Sequence, residues 1–245
     1  MQLDNLQKDW EALGDLDPLW AVLSDPQKKF GKWDLTEFFN TGEREIAELM
    51  STVAQLGYPL KLDAALDFGC GVGRLTKALS ERFDKAIGVD ISEVMLSRAR
   101  VYANKCSFFH NNKDNLDIFP DNSFDLVYSS IVLQHLPSDK VINAYLSEFI
   151  RILKPGGLLA FQLPSRVPWW WRFRPDKKTY RILRSAGIGE KILFSWGLQP
   201  MSMRGIPQKE IVSFLERGHT RILKAEADNR AGSFIDSYIY YAHKL

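Results

Sequence analysis

Cysteine is almost missing from this chain of 245 residues, and so is any long apolar run. Its two cysteines, Cys70 and Cys106, form no metal-ligand spacing and no disulfide framework, which leaves reduced thiols and no metal centre as the expectation. No apolar stretch approaches the roughly 18 residues that would suggest a membrane span. The opening MQLDNLQKDWEALGD is too acidic and polar for a signal peptide. A cytoplasmic protein is therefore expected. Internal repeats and low-complexity tracts are also lacking.

What is present is an ordinary globular composition, 45% hydrophobic and 25% charged, long enough for one large core with an appendage. The net charge of +2 hides an uneven distribution. Residues 1–40 carry four Lys/Arg against eight Asp/Glu, whereas residues 166–191 carry eight against two. The second segment suits an anionic partner or a solvated face, and charge alone does not separate the two.

From residue 62 the pattern becomes regular. The apolar run LDAALDF leads through the glycine-rich GCGVG to RLTKALSERF, whose apolar residues recur at helical spacing. KAIGVD, SEVMLSRARVYANK and CSFFH then read as strand, helix and strand. FDLVYSSIV reads as a fourth strand, with a helix from about Asp139 to Leu153 and a fifth strand, LLAFQL, after the turn KPGG. Alternation of this kind predicts a doubly wound α/β fold with a parallel sheet and a ligand crevice at the carboxyl ends of its strands. Further on, KKTYRILRSAG and GIPQKEIVSFLERG read as helices, and TRILKAEADN and SFIDSYIYYAHKL as a hairpin at the sheet edge around the turn NRAG. The first 60 residues read as a helical cap with breaks near Asp17-Pro18, Asp25-Pro26 and Asn40 to Gly42. The expected organisation is that cap, 1–60, and one domain, 61–245, with a lid or substrate segment at about 164–205.

In LDFGCGVGR, glycines 69, 71 and 73 occupy the turn from strand to helix, where they allow tight dihedrals and close approach of a ligand to the backbone. A dinucleotide fingerprint would put Gly or Ala at the sixth position of GxGxxG, where Arg74 stands; the pattern is GxGxG. Asp90 ends the second strand about 20 residues on, where a carboxylate can accept from both hydroxyls of a ribose. Ser92 is the better N-cap for the helix that follows.

Together these residues resemble the class I S-adenosylmethionine-dependent methyltransferases, in particular their small-molecule branch. LDFGCGVGR is similar to the first motif of that family, GVDIS with Met95 to its ribose and adenine segment, FDLVYSSIVLQHL to its fourth-strand motif, and LKPGG to the turn before its fifth strand. The resemblance covers about residues 62–163. It implies a mostly parallel sheet of seven strands whose last strand is antiparallel, with S-adenosylmethionine as cofactor. It further implies that Asp67, Gly69, Cys70, Gly71 and Gly73 shape the cofactor loop, that Asp90 meets the ribose, and that Ile91 and Met95 pack on the adenine. Asn112, Asn115 and Leu116 match the segment at the adenine edge, although an aspartate is common where Asn115 stands. Ser129 and Ser130 would close the fourth strand beside the methyl group. WDLTEFFNTGERE resembles a segment that folds over the cofactor, with Phe38, Phe39 and Gly42 as candidates; for the phenylalanines, plain core packing is an equal alternative.

Methyl transfer is an in-line displacement in which the protein mainly aligns the acceptor and excludes water. A hydroxyl acceptor also loses a proton. His135 lies just past the fourth strand, at the expected mouth of the site, and an imidazole with a reference pKa of about 6.5 suits a general base. A structural histidine supporting the turn before LPS is the alternative. The resemblance also implies a DPPY or NPPY after the fourth strand in many enzymes with nucleobase or glutamine amino-group acceptors; YSSIV stands there instead, which makes those acceptors less expected. No proline-cysteine pair supplies a cytosine-attacking thiolate. The remaining expectation is a small acceptor, anionic or aromatic, methylated on a hydroxyl: a sugar, a phenol or a glycolipid precursor.

PSRVPWWWRFR, Pro164 to Arg174, leaves the fifth strand on that same side. Three consecutive tryptophans cannot all face one core. Trp169, Trp170 and Trp171 with Arg166 and Arg172 are the candidate acceptor-binding residues, rings for stacking and guanidinium groups for phosphate or carboxylate. A packed cap or an oligomer interface is the alternative, and the oligomeric state stays open. No nucleic-acid partner is expected, while contact with a membrane surface fits the same residues. A cofactor-binding protein without catalysis and a nucleic-acid or lipid-surface binder also remain as other functional classes.

Overall fold

The computed structural model describes residues 2–168, 175–201, 203–232 and 234–245. The chain begins with helices α1 (Gln2–Leu16), α2 (Pro18–Val22) and α3 (Leu35–Gln55). Strand β1 (Ala64–Phe68), helix α4 (Arg74–Ser80), β2 (Lys85–Asp90), α5 (Glu93–Tyr102), β3 (Ser107–His110), β4 (Phe124–Ser129), α6 (Asp139–Ile152) and β5 (Leu153–Arg166) follow. The remainder is α7 (Pro175–Ser185), α8 (Glu190–Ser195), α9 (Gln208–Arg217), β6 (Thr220–Asp228) and β7 (Asp236–Lys244).

Seven strands form one sheet in the order β3-β2-β1-β4-β5-β7-β6. The first five are parallel, and β7 runs antiparallel between β5 and β6. The mostly parallel sheet and the terminal hairpin therefore match the sequence-based expectation. Side chains alternate across the sheet. Leu66, Val127 and Phe161 face α6 and α9 through Phe149 and Leu215, while Ala65, Leu126 and Ala160 face α3 and α4 through Leu49 and Leu79. Both faces are dry, which fixes the strand register, because a slip of one residue would exchange the two layers.

The strand order reverses between β1 and β4, so the loops leaving these two strands diverge and leave a crevice. Over that crevice lies the N-terminal helical segment. Asp17 holds its turn, accepting from the N–H groups of Phe30 and Gly31 at 2.6 and 3.0 Å. Glu11 of α1 accepts from the N–H groups of Glu93 and Val94 at 2.9 and 3.0 Å, so α1 is docked on the N-terminus of α5, where a carboxylate is favoured. Ser92 caps the same helix by accepting from Met95 N–H at 3.2 Å.

The expected break at Asn40 to Gly42 is corrected: α3 runs unbroken from Leu35 to Gln55, started by Asp34, whose side chain accepts from Glu37 N–H at 2.8 Å. Gly42 is needed for packing, not for a turn. A Cβ there would lie 2.5 Å from the carbonyl oxygen of Arg74. Helix α8 had no clear sequence signal, being only six residues long.

Candidate functional site

The turn after β1 is built from backbone. Gly69 and Gly71 take φ of +75° and +53°, in the left-handed region that favours glycine. The N–H groups of Gly69 and Cys70 both donate to the carbonyl of Val89, at 2.8 and 3.1 Å, tying the turn to the end of β2. Asp90 completes it: one carboxylate oxygen accepts from Gly71 N–H and the other from Ser92 N–H, each at 2.8 Å. Burial pushes the Asp90 carboxyl up, while the N–H groups of Ser92, Gly71 and Ile91 pull it back.

These residues form one end of a cavity of about 1480 Å³. Gly69, Cys70, Gly71, Asp90, Ile91, Met95, Ser130, His135 and Arg166 line it, which brings nine of the sequence-derived site residues together. His135 sits in the short 3-10 turn after β4, its ring 5.6 Å from that of Trp10 and its Nε2 3.2 Å from Nε2 of Gln134.

Other expected residues stand behind the wall. Asp67 is buried and accepts from the Thr76 hydroxyl at 2.7 Å; burial lifts its carboxyl to about 7, so it supports the loop from the rear. Gly73 begins α4, and a Cβ on it would meet Phe108 and Ala99. Phe38 and Phe39 are core residues, edge to face 5.5 Å apart. Leu116 is fully buried, with its N–H on Glu148 at 2.7 Å, and Ser129 donates to the Phe68 carbonyl at 3.2 Å. Asn112 is exposed and Asn115 contributes its carbonyl to Asn111, so Asn111 is the asparagine that lines the cavity. Trp169, Trp170, Trp171 and Arg172 lie outside the described residues.

Several lining residues carried no sequence signal. Trp10 and Trp20 come from the N-terminal helices and Tyr145 from α6, where a helical apolar stripe also explains it. Arg230 lies in NRAG, which reads as a plain turn. In the fold it reaches Glu45 Oε1 and the Tyr128 hydroxyl, both at 2.8 Å, and the Ser130 hydroxyl at 3.3 Å, while its Nε donates to Asp228 at 2.8 Å. Glu45 also accepts from Arg74 Nη2 at 2.8 Å. Burial alone would raise the Glu45 carboxyl, but Arg74 and Arg230 outweigh it and hold the group at about 2. This ion network joins α3, α4, β4 and the β6–β7 turn, and its Arg74, Arg230 and Ser130 line the cavity.

Away from the glycine loop the cavity is lined by more cations than carboxylates: Arg166 at the end of β5, loosely paired with Asp236 at 3.6 Å, Lys178 and Arg181 on α7, and Arg204 from the segment before α9, with Asp139 3.6 Å from Arg204. Among the described residues no cluster of side chains suits a metal ion, and no helix is long and apolar enough to cross a membrane.

Residues 66–161 match the methyltransferase domain family. The chain is 33% identical over 153 residues to a trans-aconitate 2-methyltransferase of Methylobacterium radiotolerans, which is 61% of this chain and 52% of that protein. It is 36% identical over 129 residues to the protein of the same name from Enterobacter sp. (51% and 46%). The matched stretch thus spans about half the length of these curated relatives. Among solved structures, a magnesium protoporphyrin IX methyltransferase from Synechocystis PCC 6803 with bound SAH superposes with a TM-score of 0.64 at 18% identity, covering 100% of both chains. A SAM-dependent methyltransferase from Methanosarcina mazei gives 0.59 at 24%, covering 78% of this chain and 97% of the other. At that identity these two likenesses carry the fold alone. With the domain match, residues 66–161 form a methyltransferase domain, and the fold around the glycine loop and Asp90 is that of the class I S-adenosylmethionine-dependent methyltransferases.

Proposed function

We propose that the protein transfers a methyl group from S-adenosylmethionine to a carboxylate oxygen of a small anionic acceptor, forming a methyl ester. The observation that carries this reading is the basic part of the cavity, where Arg166, Lys178, Arg181 and Arg204 line the same space as the glycine loop. The trans-aconitate methyltransferases among the relatives lend it support, since aconitate is a tricarboxylate.

The residues present fit the cofactor. A Cβ on Gly71 would fall 2.6 Å from Val22 and one on Gly69 2.4 Å from Val132, both lining residues, so side chains there would fill the cradle. Asp90 offers acceptor oxygens for the ribose hydroxyls, Ile91 and Met95 an apolar wall for the adenine, and Asn111 a polar edge. When bound, S-adenosylmethionine supplies a sulfonium methyl whose carbon–sulfur bond breaks, with its electron pair left on sulfur, as the acceptor oxygen bonds to carbon.

A carboxylate is ionised at neutral pH, with a reference pKa of about 4, so this acceptor needs no base. What the chain supplies is alignment by cations and exclusion of water by Trp10, Trp20 and Leu13 of the helical cap. A hydroxyl acceptor is the second reading, favoured by His135 on the cavity wall, which would then take the proton. Trp169, Trp170, Trp171 and Arg172 are assigned to the acceptor on their sequence alone.

Ligand-dependent melting tests the reading first. S-adenosylmethionine and its demethylated product should each raise Tm, and a rise with NAD alone would contradict it.

A further inference from the structure

Three cations at the basic end have an arrangement that the transfer itself does not require. Lys178 and Arg181 are three residues apart on α7, hence on one face of the helix, and both line the cavity. Neither has an ion-pair partner among the described residues, whereas Arg184 on the next turn is paired with Glu190. Arg204 approaches from another element. Its N–H donates to the Gln134 carbonyl at 2.8 Å, which fixes it beside the turn that carries His135. Its Nη1 is 3.6 Å from Asp139, a loose contact, and its Nε is buried with no hydrogen-bond partner. A buried N–H without an acceptor is unfavourable unless a ligand supplies one.

We propose that Lys178, Arg181 and Arg204 form a clamp for a carboxylate of the acceptor other than the one that is methylated, so that the acceptor is a di- or tricarboxylate. The inference rests on the carboxylate reading above. Its logic is that a cation on the attacking oxygen would draw charge from the nucleophile, whereas a cation on a remote carboxylate orients the acceptor without that cost. The placement agrees: α7 and the segment before α9 contribute neither to the glycine loop nor to Asp90. Two guanidinium groups suit a planar carboxylate, each offering paired donors.

The test is calorimetric titration of the whole chain saturated with S-adenosylhomocysteine, using trans-aconitate as the tricarboxylate probe and crotonate as the monocarboxylate probe. The clamp predicts that the wild type prefers trans-aconitate by at least about tenfold, the scale of one charge-assisted contact. In K178A/R181A/R204Q that ratio should fall to about one. R181Q alone should lower it in part, and R181K should restore some of it. Lys105→Ala, an exposed lysine outside the cavity, should leave the ratio as it is. Affinity for S-adenosylhomocysteine, measured in each variant, reports that the cofactor end is folded. An unchanged ratio in the triple variant with normal S-adenosylhomocysteine binding would overturn the clamp and leave the carboxylate reading standing. A saturated wild type that binds neither acid would overturn both.

Discussion

The two ends of the cavity are built by different means. At the end proposed for the cofactor the surface is backbone: Gly69 and Gly71 at positive φ, N–H groups drawn to Val89 and Asp90, and one carboxylate at the end of β2. At the end proposed for the acceptor it is side chains, cations carried by β5, α7 and the segment before α9. Backbone geometry demands glycine and a strand end at fixed positions. Side chains on surrounding helices can change without cost to the sheet. One end is thereby tied to the fold, and the other is free to set specificity.

Substitutions that strike one end should spare the other. The largest effect is expected from Asp90→Ala, which removes both the ribose acceptor and the anchor of Gly71: calorimetry should give a loss in S-adenosylmethionine affinity of about 100-fold or more, two charge-assisted bonds at about 1.5–3 kcal/mol each. Unchanged affinity would leave Asp90 with only a structural role. Next comes Glu45→Gln, which leaves Arg74 and Arg230 on the cavity wall short of their shared partner. Urea unfolding should show a loss of about 3 kcal/mol, as for breaking a buried pair. Because the Glu45 carboxyl is held down, its contribution is present above the ordinary value of 4.5 and lost as the pH falls through about 2, and the variant should lack that part of the acid transition.

Gly71→Ala should act on the cofactor end more gently, through about 1–2 kcal/mol of left-handed strain and the approach to Val22, seen as about tenfold weaker S-adenosylmethionine binding. The smallest change sharpens the comparison most. His135→Ala should leave cofactor affinity intact and, with a carboxylate acceptor, lower turnover only a few-fold, by about 1 kcal/mol of lost positioning. A fall of about 100-fold or more, together with a wild-type rate that declines toward low pH, would favour proton removal from a hydroxyl.

The unequal legibility of the sequence follows from the same contrast. GCGVG, the terminal Asp of KAIGVD and the strand–helix alternation carried the sheet, the crevice and the residues of the glycine loop that line it, since each is a local demand of backbone geometry. Asn111 was missed by one position, because the end of β3 fixes which asparagine turns inward. Gly42 was misread because a glycine inside a helix and a glycine in a turn look alike until the carbonyl of Arg74 is placed against it. Arg230 and the pair Lys178 and Arg181 were not singled out at all. Their roles depend on contacts made across more than 100 residues or on which face of a helix meets a cavity, and neither is written in local spacing.

The most direct measurement is the structure of the product. The protein is incubated with S-adenosylmethionine and a panel of polycarboxylates, monocarboxylates, phenols and sugars, and methylated products are resolved by mass spectrometry and mild alkaline hydrolysis. The account predicts an alkali-labile methyl ester formed on a polycarboxylate. An alkali-stable methyl ether on a phenol or sugar, with no ester on any acid, would contradict it.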